Sequence, residues 1–145
     1  MPTYLTPHFT LEEMTYSQTA SRCGINNAPP PDIVAQLTKT CEMLEQVRTA
    51  LGGHPVMVTS GYRCPELNKA CGGSTTSQHM TGQAVDFYVP AYGTPHQVCE
   101  AIMTAGIPYD QLIWEYGDWV HMSQAPQPRM MAMTIDNSGT TMGIA

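Results

Sequence analysis

The chain has 145 residues, enough for one domain and hardly for two. Hydrophobic residues make up 42% and charged residues 12%, so a core can form and no charged tail stands out. A formal charge of −6, with six scattered Lys and Arg, argues against nucleic acid as a partner and against docking on anionic membranes.

In chain order, the N-terminal segment Met1–Met14 lacks the basic and apolar regions of a secretory signal, so none is expected. Thr10-Leu-Glu-Glu13 has the form of a capping box and predicts a short helix. Pro29-Pro-Pro-Asp32 stops one segment and starts another. Apolar residues at 33, 34, 37, 41, 44, 47 and 51 then predict the main helix, ended by Gly52-Gly53. Pro55–Ser60 reads as a strand with Val56 and Val58 on one face, broken by Gly61-Tyr-Arg-Cys-Pro65. Residues 65–82 read as mostly irregular, with a helical turn at Glu66–Ala70. Ala84–Val89 is a second strand. Thr94-Pro-His-Gln97 is another capping box, opening a helix that runs to Gly106. Gln111–Tyr116 and Trp119–Ser123 are two short strands joined through Gly117-Asp118, and Arg129–Ile135 is one more. The last ten residues, with Asn137-Ser-Gly139, read as a loose tail. No run of apolar residues is long enough to span a membrane. The expected architecture is a single α+β domain over residues 1–145, a small, mainly antiparallel sheet with helices packed on it.

Five cysteines, without a Cys-x-x-Cys pair, disfavour a thiolate zinc knuckle. Cys41 and Cys99 fall on apolar helix faces and read as small core residues. Cys64 and Cys71 bracket a loop and are able to pair, although the reduced state is the default for a chain without a signal. His8, His54 and His96 read as exposed and without partners. The Met-rich Arg129–Met133 stretch reads as a packed strand rather than a binding surface.

The chemistry centres on Ser77-Gln-His-Met-Thr-Gly-Gln-Ala-Val-Asp-Phe87. Catalytic zinc keeps three protein ligands and an open position for water, and imidazole and carboxylate are ligands of hydrolytic zinc. His79 lies in a loop, Asp86 in a strand, and Gly82 allows the turn that lets both point to one place. That spacing alone is a weak signal. His121, in the strand Trp119-Val-His-Met-Ser123, supplies a third ligand, with Trp119 on its face by period two. Asp118, three residues before His121, is placed to take a proton from a water whose pKa a metal lowers toward about 7. Glu115 is the rival base, and its alternation with Trp114 decides which face it takes; Asp118 is favoured here, although it is also a good turn residue.

Taken together, Ser-x-His-x-x-Gly-x-Ala-x-Asp followed by Trp-x-His, with an acid three residues before the last His, resembles the LAS metallopeptidases. These are zinc D-Ala-D-Ala carboxypeptidases, D,D-dipeptidases and the L-alanyl-D-glutamate endopeptidases of phage lysins. Upstream, Ser60-Gly-Tyr-Arg-Cys-Pro-Glu-Leu-Asn68 and Gly72-Gly-x-x-x-Ser77 look like the family's lead-in elements. Ser-x-x-Ala-x-Arg-x-Gly-Ile-x-Asn, ending at Asn27, looks like its N-terminal part. The resemblance covers roughly residues 9–123.

The resemblance implies one zinc ion held by His79, Asp86 and His121 in a cleft at the sheet of a hedgehog/D,D-peptidase-like fold. It makes Asp118 the catalytic acid/base and Arg63 the arginine that positions substrate and stabilises developing negative charge. Ser77, Gln78, Trp119 and Tyr62 are then expected to line the cleft. The bland readings are a surface arginine at 63 and a core tryptophan at 119.

The implied activity is hydrolysis of an amide in the peptidoglycan stem peptide, by a carboxypeptidase or an endopeptidase of the phage-lysin type. Such an enzyme is expected to be a monomer, made in the cytoplasm and released by a holin or carried on a virion. A catalytically silent zinc-binding or virion structural module is the alternative. The acidic net charge is a mild objection, because the cell wall is itself anionic.

Overall fold

The computed structural model describes residues 1–145. The chain opens with a small hairpin, β1 (Tyr4–Thr6) and β2 (Phe9–Thr10), which the sequence did not signal. Helix α1 (Leu11–Thr15) follows under the expected capping box, in which Thr10 and Glu13 each satisfy the other's backbone N–H. Ser17 caps a further short helix, α2 (Gln18–Cys23), and Gly24 closes it.

The main helix, α3, spans Pro31–Ala50. Its buried stripe is Leu37, Cys41, Leu44 and Val47, all fully inaccessible, as the apolar spacing predicts. Each such aliphatic side chain contributes about 1.5–3 kcal/mol on burial. Thr40, one residue from that stripe, is also buried and donates from Oγ1 to the Gly82 carbonyl at 2.6 Å. Through that bond the helix holds the turn between His79 and β4.

Strand β3 (Met57–Ser60), helix α4 (Pro65–Ala70), a 3-10 turn at Gln78–Thr81, strand β4 (Ala84–Tyr88) and helix α5 (Pro95–Ala105) come next. Strands β5 (Gln111–Glu115), β6 (Trp119–Ser123), β7 (Met131–Asp136) and β8 (Gly139–Met142) complete the chain. The domain is α+β. Its six-stranded sheet has the order β3-β4-β6-β5-β7-β8. Neighbouring strands are antiparallel except β5 and β7, which are parallel, so the sheet is mixed.

The final residues do not form the expected loose tail. β8 pairs with β7 as an antiparallel edge, and Thr134 ties the terminus down by donating to the Gly143 carbonyl and accepting from the Ala145 N–H. Asp136-Asn-Ser-Gly139 is thus a turn between two strands. No helix is long and apolar enough to cross a membrane.

Cross-strand register divides the sheet into two faces. Phe87, Val120, Trp114 and Thr134 form one row, and Val85, Met122, Leu112 and Ala132 another; both belong to the side that carries the core. Helices α3 and α5 cover it with Leu44, Val47, Val98 and Ile102. The opposite face carries Asp86, His121, Ile113 and Met133 in one row, and Trp119, Glu115 and Ile135 in the next.

Two histidines expected to lack partners have them. His8 bonds Glu45 through Nδ1 at 2.7 Å, and the His96 ring stacks edge-on against Trp114 with centroids 4.7 Å apart. The cysteines are all free; Cys41 and Cys99 are buried, and Cys64 caps α4 instead of pairing with Cys71.

Asn27 forms a polar knot outside the site. Its buried side chain donates to the Thr15 and Tyr62 carbonyls, both at 2.9 Å, and accepts from the Cys64 N–H at 2.8 Å. Asn27→Ala strands three backbone groups, one buried and two part-buried, and chemical denaturation should find it less stable by about 2–4 kcal/mol. Burial also pushes the Cys41 and Cys99 thiols up to about 12. A thiol reagent at pH 8 should therefore label exposed Cys23 and Cys71 in the native protein and reach Cys41 and Cys99 only after unfolding.

Candidate metal centre

His79, Asp86 and His121 converge. One ligand atom from each lies within 4.8 Å of the others, and all three residues are buried. Asp86 and His121 are direct cross-strand partners on β4 and β6, so the sheet register alone brings them together. His79 reaches the same point from the 3-10 turn. Ser77 caps that turn by accepting from the His79 N–H, and Gly82 ends it in the left-handed conformation, with φ of 74°. A side chain at 82 would also press on Ile33 of α3, where a Cβ would come within 3.2 Å.

The imidazole of His79 is fixed from behind. Its Nδ1–H donates to the Gly61 carbonyl at 2.7 Å, which leaves Nε2 as a lone-pair donor facing Asp86. His79 Nε2 stands 3.3 Å from Asp86 Oδ2, and His121 Nδ1 stands 2.9 Å from Asp86 Oδ1. Tetrahedral zinc with ligand bonds near 2.0–2.1 Å separates its ligand atoms by about 3.3 Å. Two imidazole nitrogens and a carboxylate gathered at this spacing fit zinc. Burial pushes the Asp86 carboxyl up, but the imidazoles of His121 and His79 beside it outweigh burial and hold the group well below the usual carboxylate range. Asp86 is therefore an anionic ligand at neutral pH.

The cluster sits in a cleft of about 710 Å³ lined by Arg63, Ser77, Gln78, Glu115, Trp119 and Arg129 among others. Arg63 is held by Ser60, which accepts from Nε at 3.2 Å, and by Asn68, which accepts from Nη1 at 3.3 Å; its Nη2 lies 3.6 Å from Asp86 Oδ2. The arginine is thus part of the site and not a surface residue closing a turn. Trp119 forms a wall, its ring 5.7 Å from that of Tyr116. Ser77 and Gln78 line the cleft as expected. Tyr62 does not; it is 6% exposed and packs in the core, while its backbone N–H bonds Met14.

Asp118 is also absent from the cleft lining. It is exposed at the tip of the β5–β6 turn, before the strand that carries His121 begins. The carboxylate that faces the cluster is Glu115. It pairs in register with Trp119, which places it on the His121 face, and its Oε1 is 3.7 Å from His121 Nδ1. Trp114, its neighbour, takes the core face. Burial, reinforced by the charge of Asp86, pushes the Glu115 carboxyl up from its ordinary value. In sequence, the three-residue spacing from His121 favours Asp118. Period-two alternation across the hairpin reverses that order, because residue 115 and not 118 shares the face of 119 and 121.

Two further groups carry no local sequence signal. Arg129 lines the cleft from the segment before β7, and Asp110, 3% exposed, binds it from the residue before β5. Met133 lies at the cleft floor with Ile113 and Ile135, so part of the Met-rich stretch faces the site.

The protein should take up one zinc per chain after treatment with a chelator, counted by metal analysis. Zinc at 100 times its Kd should stabilise the fold by about 2.7 kcal/mol, seen as a rise in Tm. Asp86→Ala should abolish both effects.

No curated protein matches this chain. A family model described as Peptidase M15 matches residues 7–123, a span that contains α1 through β6 and all three residues of the His–Asp–His cluster. The chain therefore belongs to the Peptidase M15 family, the LAS-type zinc peptidases that its motifs resemble.

Proposed function

We propose that the protein is a zinc-dependent hydrolase of an amide bond in the peptidoglycan stem peptide, with Glu115 as its acid/base. The observation that carries this reading is the position of Glu115 on the cleft face beside His121, with Arg63 on the other side of Asp86. The wall substrate and a role of the phage-lysin type are what the resemblance to the LAS metallopeptidases implies.

Zinc held by His79, Asp86 and His121 would supply Lewis-acid polarisation of the scissile carbonyl and an acidified water. The chain's own groups do the rest. Glu115 accepts the proton of the attacking water and returns it to the leaving amine. Its half-buried position raises its proton affinity toward what such a shuttle needs. Arg63, already oriented by Ser60 and Asn68, presents fixed positive charge to the oxygen on which negative charge develops. Trp119 shields this side of the site from water. Asp118, exposed on the turn, takes no part.

The deciding comparison is Glu115→Gln against Asp118→Ala, each loaded with zinc and incubated with purified sacculi, with released fragments weighed by mass spectrometry. Glu115→Gln should keep its zinc and lose about 10²–10⁴-fold in rate. Asp118→Ala should stay close to the wild type. Fragment masses from the wild type name the bond that is cut. A zinc-loaded wild type that releases nothing from any wall chemotype would leave a binding module as the better account.

A further inference from the structure

The cleft contains two guanidinium groups, and they are held differently. Arg63 has each of its three nitrogens directed at a protein oxygen, on Ser60, Asn68 and Asp86. Arg129 uses one edge only. Its Nε donates to Asp110 Oδ1 at 2.9 Å and its Nη2 to Asp110 Oδ2 at 2.8 Å. The guanidinium has five N–H bonds. The two spent on Asp110 leave three, on Nη1 and on the outer side of Nη2, which form a second fork.

Asp110 is built as a clamp. It is almost fully buried, and it also accepts from the Arg129 backbone N–H at 3.0 Å and from Gln78 Nε2 at 2.8 Å. The Gln78 bond ties the clamp to the residue next to His79. The Arg129 side chain remains 54% exposed while its partner carboxylate is 4% exposed. Burying Asp110 therefore fixes the arginine without covering it. A freely rotating surface arginine loses side-chain entropy when it binds an anion; this one has already lost much of it.

Its place in the cleft defines what it meets. Arg129 precedes Met131, which pairs with Gln111 at the start of β5, whereas His121 pairs with Ile113 further along that strand. Between the arginine and the metal cluster runs the apolar floor of Ile113 and Met133. An extended peptide whose amide lies at the cluster would cover this floor and bring a group at its far side to the open fork. A planar two-oxygen anion matches that fork, and among peptide groups this is a carboxylate.

We propose that Arg129, oriented by Asp110, is a specificity-determining residue that binds a carboxylate of the peptide substrate away from the scissile amide. This rests on the stem-peptide reading above.

The test uses zinc-loaded full-length protein and a stem peptide, together with versions in which each carboxylate is converted singly to the carboxamide. The wild type should cut the free peptide about 10- to 100-fold better, in kcat/KM, than one of the amides, the range expected for a charge-assisted fork. Arg129→Gln should erase that preference by losing activity on the free peptide alone, and Arg129→Lys should retain part of it. In a titration followed by NMR, the Arg129 Nε–H signal should move with the free peptide and stay still with that amide. Thermal unfolding of each variant reports the fold.

If Arg129→Gln keeps the wild-type preference, or slows all the peptides equally, the arginine only holds Asp110 and the proposal falls while the hydrolase reading stands. If the wild type neither binds nor cuts any stem peptide, the hydrolase reading falls and the anchor falls with it.

Discussion

The site depends on how the chain leaves β3. The segment Ser60–Cys64 passes so close to α1 that a Cβ on Gly61 would collide with the Met14 carbonyl oxygen, which only glycine avoids. That approach lets the Tyr62 N–H bond Met14 at 2.7 Å, and Asn27 locks the next residues from below. With its backbone so fixed, the segment turns its other groups to the site. The Gly61 carbonyl sets the tautomer of His79, the Arg63 N–H bonds the His79 carbonyl at 3.1 Å, and the Arg63 side chain reaches Asp86. One stretch of backbone therefore orients a metal ligand and the cleft's first arginine together. A larger residue at 61 would disturb both before it touched any reacting atom.

The second constraint is the period of two along β4, β6 and β5. It places Asp86, His121 and Glu115 on one face and gives the opposite face to a continuous apolar layer under α3 and α5. Site and core are thus alternate residues of the same strands. This is economical, since packing on one side fixes positions on the other. It also explains why buried polar residues are tolerated at 86 and 121. Each has the other as a partner, and an unpaired carboxylate at that depth would be costly.

Much of this was legible in the sequence, and the misses have physical causes. Helix α3 announced itself by spacing, α1 and α5 by their capping boxes, and β4 and β6 by the ligand motifs they carry. The exposed hairpin tip made Asp118 look like a base because sequence distance to His121 is not spatial distance. Counting alternation back from Trp119 through a three-residue turn would have selected Glu115. Tyr62 sits beside Arg63 in a motif, but adjacent residues on an irregular segment face different ways, and Tyr62 faces the core. β8 was hidden because Asn-Ser-Gly suits a turn as well as a tail, and its exposed Thr and Gly residues give no apolar period. The pairing of Asp110 with Arg129 spans nineteen residues and joins two loop ends, so no local pattern marks it.

Net charge was the one composition-level objection to an anionic wall substrate. It loses force once charge is assigned to places. Long-range fields of an acidic surface are screened within about 8–10 Å at physiological ionic strength, whereas groups lining a cleft act at contact range. Around this cleft stand two guanidinium groups and three carboxylates, those of Asp86, Asp110 and Glu115. A divalent ion on the His–Asp–His cluster reverses the local balance to a single positive unit. Hydrogen bonds from Arg129 hold Asp110 well below the usual carboxylate range, so this pair stays ionised across the working pH. Metal occupancy would then do more than supply Lewis acidity, because it would turn a slightly negative cleft into a slightly positive one.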